Sequence, residues 1–162
     1  MTNEPRKEFT ITRIFDALRA IVWKAWTDPE MVKRWWGPRG VATPTCKVDA
    51  RKGGKINIVM VAGKELGPAA GQEWPMTGTF EEVAPQGRLV YTASALQDRK
   101  GSQSLLETRT TVTFDDLHGK TKLTVHILLT RSSDSPEAKL AIQGMEGGWS
   151  QSFDKLEETL SR

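Results

Sequence analysis

The sequence predicts an α+β domain in which a curved antiparallel sheet of six to seven strands wraps around one long C-terminal helix, with two short helices after the first strand. Three observations carry this. Between Ser135 and Arg162, the residues Ala138, Ile142, Met145, Trp149, Phe153, Leu156 and Leu160 recur every three or four positions, which places them on one stripe of an α-helix. The stretch after Pro44 instead shows runs of period two separated by turn residues, the pattern of strands with one buried face. Strands and helices do not alternate as βαβ units, so a parallel doubly wound sheet is excluded in favour of an antiparallel one with its helices on one side.

Taken in chain order, Glu8 to Phe15 is the first strand, with Phe9 and Ile11 alternating with threonines. From Arg19 to Trp26 the apolar residues Ile21, Val22, Ala25 and Trp26 change to helical spacing. Thr27-Asp28-Pro29 ends that helix and starts another, which runs from Glu30 to Trp35 or Trp36 and is stopped by Gly37-Pro38. After Pro44 the one-sided sets are Cys46, Val48 and Ala50; Ile56, Ile58, Met60 and Ala62; Trp74, Met76, Gly78 and Phe80; Leu89, Tyr91, Ala93 and Ala95. Two more follow, Leu106 to Phe114 and Leu123 to Leu129, joined by a turn at Asp115 to Lys120 in which Gly119 supplies positive φ. Residues 63–71 form a loop, as does the polar stretch through Gly101. Ser135 and Pro136 suit the cap and first position of the long helix.

One domain, 1–162, accounts for the whole chain, with residues 1–7 expected to be flexible. The net charge of +3 is too small and too dispersed to supply the phosphate contacts of a nucleic-acid binder. No apolar run approaches the roughly 20 residues that span a bilayer, and the polar start of the chain lacks a secretory pattern. Together with the single cysteine, Cys46, these features give the expectation of a cytoplasmic protein with no membrane insertion.

Beside the long helix's apolar stripe runs a second row, Ala141, Gly144, Gly148 and Ser152, almost bare of side chain. Each glycine inside a helix is about 1 kcal/mol worse than alanine, and Gly144, Gly147 and Gly148 all lie there. Either the bare flank lets the helix lie close against the sheet, or it leaves room for a guest. The facing strand sets mix adaptable residues (Met60, Trp74, Met76, Tyr91) with small ones and with the hydroxyls of Thr108 and Thr110, whereas a dense core would favour Val, Ile and Leu. A mainly apolar cavity with a few polar anchors fits this composition.

Several motifs carry a resemblance across nearly the whole chain. They are Ala25-Trp26-Thr27-Asp28-Pro29 leading to Arg34-Trp35-Trp36-Gly37-Pro38, Asp49 to Gly54, Gly78-Thr79-Phe80, Arg88 to Tyr91, Thr111 to Phe114, and Gly144 to Ser152 around Trp149. In this order they resemble the Activator of Hsp90 ATPase homologue family of the START-like (SRPBCC, Bet v 1-like) superfamily. The resemblance implies a helix-grip fold with a cavity between sheet and long helix, and through the family name a chaperone contact and a place in the stress response. The name-giving co-chaperones carry this domain after a separate N-terminal region, for which these 162 residues leave no room.

The expected function is therefore binding of a small hydrophobic molecule in that cavity, with no cofactor or metal, by a monomer or homodimer. The residues expected to hold it are Trp35 and Trp36 near the mouth, Met60, Trp74, Met76, Tyr91, Thr108 and Thr110 from the sheet, and Met145, Gly148, Trp149 and Ser152 from the helix. Trp35 and Trp36 equally suit a lid packed permanently over the core. The alternatives are a cyclase- or hydrolase-like enzyme using the same cavity, with Tyr91 or a threonine assisting, and a chaperone-interacting module. Groups for catalysis are sparse. His118 falls in a turn, His126 on the outward side of its strand, and Cys46 on a face shared with Val48. Glu107 and Arg109 point outward unless the strand register is shifted by one residue, which would turn them into the cavity.

Overall fold

The structure, a computed structural model, describes residues 7–96 and 104–161; the expected flexible terminus, apart from Lys7, and the polar loop through Gly101 lie outside them. Strand β1 (Glu8–Phe15) is followed by helices α1 (Arg19–Thr27) and α2 (Pro29–Trp35). Six strands come next: β2 (Val41–Val48), β3 (Lys55–Ala62), β4 (Glu73–Ala84), β5 (Arg88–Leu96), β6 (Ser104–Leu117) and β7 (Lys120–Ser132). Helix α3 (Pro136–Leu160) closes the chain, and a short 3-10 segment, Lys64–Ala69, lies in the loop expected at 63–71.

The seven strands form one antiparallel sheet in the order β1-β7-β6-β5-β4-β3-β2. Each of β2 to β7 pairs antiparallel with its chain neighbour, and the β4–β5 and β6–β7 connections are tight turns. The β6–β7 turn has two residues, His118 (φ 52°) and Gly119 (φ 91°), the double positive φ that matches the twist of a hairpin. Strands β1 and β2 lie at opposite edges, so α1 and α2 must carry the chain across the open side of the sheet. Asp28 serves both helices: its backbone N–H bonds Lys24 O, closing α1, and its carboxylate accepts from Glu30 N at 3.0 Å, capping α2. The sheet curls into a half-barrel around α3.

The period-two readings give the faces correctly. Cross-strand neighbours Phe80 and Tyr91, Tyr91 and Thr110, Thr110 and Ile127, and Ile127 and Phe9 line up on the concave face. Glu107 and Arg109 are on the convex face, where Arg109 Nε bonds Glu81 at 2.8 Å, so the alternative register is ruled out. His126 also faces outward, 3.0 Å from a Glu8 carboxylate oxygen. One boundary differs from expectation: β2 begins at Val41 and runs through Pro44. It is an edge strand with a register shift between Ala42 and Thr45, where proline's missing N–H costs no ladder bond.

Gly78 sets part of the curvature. A Cβ there would lie 2.2 Å from the carbonyl oxygen of Thr92 on β5, so only glycine lets the two backbones come this close. Gly78→Ala should lower unfolding stability by about 2 kcal/mol in urea titration, within the range for overpacking, through forced separation of β4 and β5. An unchanged midpoint would show that the approach is not required.

Candidate functional site

Tryptophans organise the space under the helices. The Trp26 ring, on α1, stacks on Trp149 of α3 (centroids 5.9 Å, interplanar 10°), tilts against Trp35 at 4.8 Å, and meets Trp36 and Phe114 edge-on at 6.4 Å each. Trp36 meets Trp149 at 5.3 Å. Five large rings thus join all three helices to β6, each contributing substantial apolar area and preferring these tilted or offset geometries. On β1, Arg13 shares the inward row with Phe9, Ile11 and Phe15. Its guanidinium bonds Asp154 of α3 at 2.6 Å and lies over the Phe153 ring at 5.6 Å, fixing the C-terminal half of α3 to the sheet edge.

Helix α3 is held at its ends. Ala138 near the start, and Ser152, Phe153 and Leu156 near the finish, are buried, whereas every residue from Lys139 to Gln151 retains solvent exposure. The stripe residues Ile142, Met145 and Trp149 face inward but are only half-buried. A Cβ built on Gly144, Gly147 or Gly148 meets nothing within 4 Å. The bare flank therefore does not serve close packing against the sheet; it borders open space. Solvent also reaches the concave face opposite, because the inward-facing Met60, Trp74, Met76 and Ala95 are partly exposed.

Deeper in, a small void of about 20 Å³ lies between Trp26, Val32 and Trp36 on the helices and Met76, Phe80 and Tyr91 on the sheet, with Ile56, Ile58, Val48 and Leu89 completing the wall. That is room for about one water molecule. The gap between helix and sheet is thus much narrower than the cavity expected from sequence, because the rings of Trp26, Trp36, Phe80 and Tyr91 occupy it. Met76 borders the void and is partly exposed, as is Val48, so solvent comes close to the void past a flexible thioether side chain.

Two of the residues lining this void each carry a buried polar atom without a hydrogen-bond partner among the described residues: Trp26 at Nε1 and Tyr91 at its hydroxyl. Both residues are only 4% exposed. A buried polar group left unpaired costs about 1–3 kcal/mol, so two beside one void are notable. Burial raises the Tyr91 phenol well above its ordinary range; the nearby Thr110 hydroxyl favours the phenolate slightly but does not close a bond of normal geometry. Tyr91 therefore stays protonated and acts as a donor, not a base. Cys46, half-buried on β2, is pushed up to about 11 by burial, so its thiol is not a ready nucleophile.

The residues singled out in the sequence divide accordingly. Trp36, Met76 and Tyr91 line the void; Met60, Trp74, Met145 and Gly148 are each partly exposed outside its wall; Trp149 stacks on Trp26. Thr108 and Thr110 are buried on the concave face, and Ser152 lies beneath the anchored half of α3. Trp35 is elsewhere: it is fully buried behind Trp26 and donates its indole N–H to Ala25 O at 2.9 Å, so it is a wedge between α1 and α2 and not part of the void wall. Trp26, which the sequence reading assigned only to the helix face, is the central ring.

A larger but open cleft, about 820 Å³, lies near the C-terminal end of α3 between Arg34, Arg39, Glu65, Lys155 and Glu158. Its walls are charged. Arg39 pairs with Glu158, and Lys155, whose ammonium donates to Gly37 O at 3.1 Å, is held below the usual lysine range by burial and then by the charge of Arg39. Among the described residues no three metal-ligating side chains gather, and no helix is long and apolar enough to cross a membrane.

The model of the Activator of Hsp90 ATPase homolog 1-like family matches residues 16–161. The chain belongs to this family. Solved structures of the same helix-grip shape include the AHSA1 protein SPO3351 from Silicibacter pomeroyi, at 22% identity over 96% of this chain and 98% of that one with a TM-score of 0.75. Protein CV1439 from Chromobacterium violaceum is 23% identical over 96% of this chain and 99% of that one, TM-score 0.75. A solution structure of a protein from Arthrobacter aurescens is 25% identical over 99% and 92%, TM-score 0.76. No curated protein matches at a significant level. Family membership supports a ligand-binding fold in general, and in this Activator of Hsp90 ATPase homolog 1-like chain the concave face and the middle of α3 are where such a fold leaves space.

The open surroundings of Gly144 give a direct check on that space. Gly144→Ala should stabilise the protein by up to about 1 kcal/mol in chemical denaturation, since helix propensity improves and no atom is displaced. A loss of stability would mean that the flank packs closely after all.

Proposed function

We propose that the protein binds a small, mainly apolar molecule whose body rests in the mouth between α3 and the sheet, against Met60, Trp74, Met76, Met145 and Gly148, and whose inner end reaches the void at Tyr91. The observation that carries this reading is the unsupported middle of α3: Gly144 and Gly148 on one flank of the helix have no atom near a built Cβ, and solvent reaches the inward-facing methionines of the sheet. A fold that needed only a core would fill that space, because interiors pack to crystal density and each helical glycine costs stability. Thioether side chains adapt to a guest at little cost, so Met76 can swing aside to join mouth and void.

The ring cluster supports the same division of labour. Trp26, Trp35 and Trp36 with Arg13 hold one end rigid, so the other end can change shape without unfolding the domain. An apolar guest covering Trp74 and the partly exposed methionines would remove their surface from water, at roughly 25 cal/mol per Å² of apolar area.

Titration with N-phenyl-1-naphthylamine, a neutral apolar fluorophore, should give saturable enhancement at one molecule per chain. Gly148→Phe, which fills the mouth from the helix side, should weaken binding about tenfold or more, equivalent to ~1.4 kcal/mol, while the unfolding midpoint is unchanged or higher. Absence of saturable binding to the unaltered protein would overturn the proposal.

A further inference from the structure

Resting on the binding site proposed above, the chemistry of its inner end can be specified further. The void wall holds no charged side chain, yet two of its residues, Trp26 and Tyr91, each carry a buried polar group without a partner of normal geometry among the described residues, the indole Nε1 and the hydroxyl near Thr110. An indole N–H only donates, and a protonated phenol donates readily. Both therefore lack an acceptor. The volume at this point, about 20 Å³, admits one oxygen-sized group and excludes the bulk of any guest.

We infer that the guest carries a neutral oxygen acceptor, such as a ketone, aldehyde or ester carbonyl, which enters the void and accepts hydrogen bonds from Trp26 Nε1 and the Tyr91 hydroxyl while its apolar body stays at the mouth. An ionised carboxylate is disfavoured there, because no cation lines the void and an uncompensated buried charge is far more costly than a neutral dipole. Cations on the surrounding elements are engaged elsewhere: Arg13 pairs with Asp154, Lys33 with Glu30, and Arg34, Arg39 and Lys155 line the separate charged cleft. A pure hydrocarbon would leave both donors unpaired. The site thus discriminates by an atom and not only by hydrophobicity, since a polar partner left unmet in a closed site is where specificity arises.

The test uses three probes on one ring system: 2-acetylnaphthalene, 2-ethylnaphthalene and 2-naphthoate, measured by calorimetry with the full chain and with Tyr91→Phe. The ketone should bind about tenfold tighter than the hydrocarbon, consistent with the worth of one or two neutral hydrogen bonds. Naphthoate at neutral pH should bind more weakly than the ketone. In Tyr91→Phe the preference for the ketone should shrink several-fold while the hydrocarbon's affinity is held or rises. On the unaltered protein, the Trp26 indole proton, assigned by its loss in Trp26→Phe, should move downfield with the ketone and not with the hydrocarbon; this reading stands even if the Tyr91 variant fails to fold. Equal affinities for ketone and hydrocarbon with an unmoved indole proton would overturn this inference and leave the binding site intact. Naphthoate binding as tightly as the ketone would overturn the requirement for neutrality. Failure of all three probes to bind would remove the site and the inference together.

Discussion

The stacking of Trp26 on Trp149 is the contact on which the rest of the molecule depends. Strands β1 and β2 end at opposite edges of the sheet, and the helices between them have no ladder to hold them in place. Trp26 supplies that hold by touching Trp35 and Trp36 from α2, Trp149 from α3 and Phe114 from the sheet. The rings make one end of the domain rigid. Because the same cluster fixes α3 near Trp149 and Phe153, the helix is anchored there and at Ala138, and its middle need not pack. The consequence is a domain in which stability and space are segregated: rings and the Arg13–Asp154 pair at one end, glycines and methionines at the other.

The chemistry of the interior follows from that segregation. Charged groups are on the convex face, at the sheet edge, or in the outer cleft, and the more buried of them are paired, as with Arg13 and Asp154. What remains inside is apolar surface with a few neutral polar groups. Burial keeps the Tyr91 phenol protonated and the Cys46 thiol largely so, which makes both poor bases and poor nucleophiles at neutral pH. Recognition by hydrogen bonding, with hydrophobic contact around it, is the chemistry such an interior performs well.

Much of this was legible in the sequence, for physical reasons that differ by element. Alternation placed Met60, Met76, Tyr91 and Thr110 on one face because a strand has only two faces and one is buried here. The α3 stripe was readable because seven apolar residues at helical spacing admit one solution, and Asp28-Pro29 marked a helix junction because proline suits a first turn. Three features were not legible. The start of β2 at Val41 was hidden by Pro44, whose tolerance depends on being at an edge, a property of the sheet and not of the segment. Arg13 occupies an inward position that only its partner Asp154, far along the chain, explains. The size of the void depends on how the Trp26, Trp36 and Phe80 rings settle against one another, and spacing in a sequence does not encode ring angles. The importance of Trp26 over Trp35 has the same origin: both are buried tryptophans next to helix ends, and only the unpaired indole of one and the Ala25 bond of the other tell them apart.

The central claim is that a guest enters between the middle of α3 and the sheet. It is tested most directly by labelling the five methionine methyl groups with carbon-13 and following them by NMR as 2-acetylnaphthalene is added. The account requires Met60, Met76 and Met145, which come from three separate elements, to shift together along one saturation curve. If those three resonances do not respond, or respond only in proportion to bulk probe concentration, the space beside α3 is not a binding site.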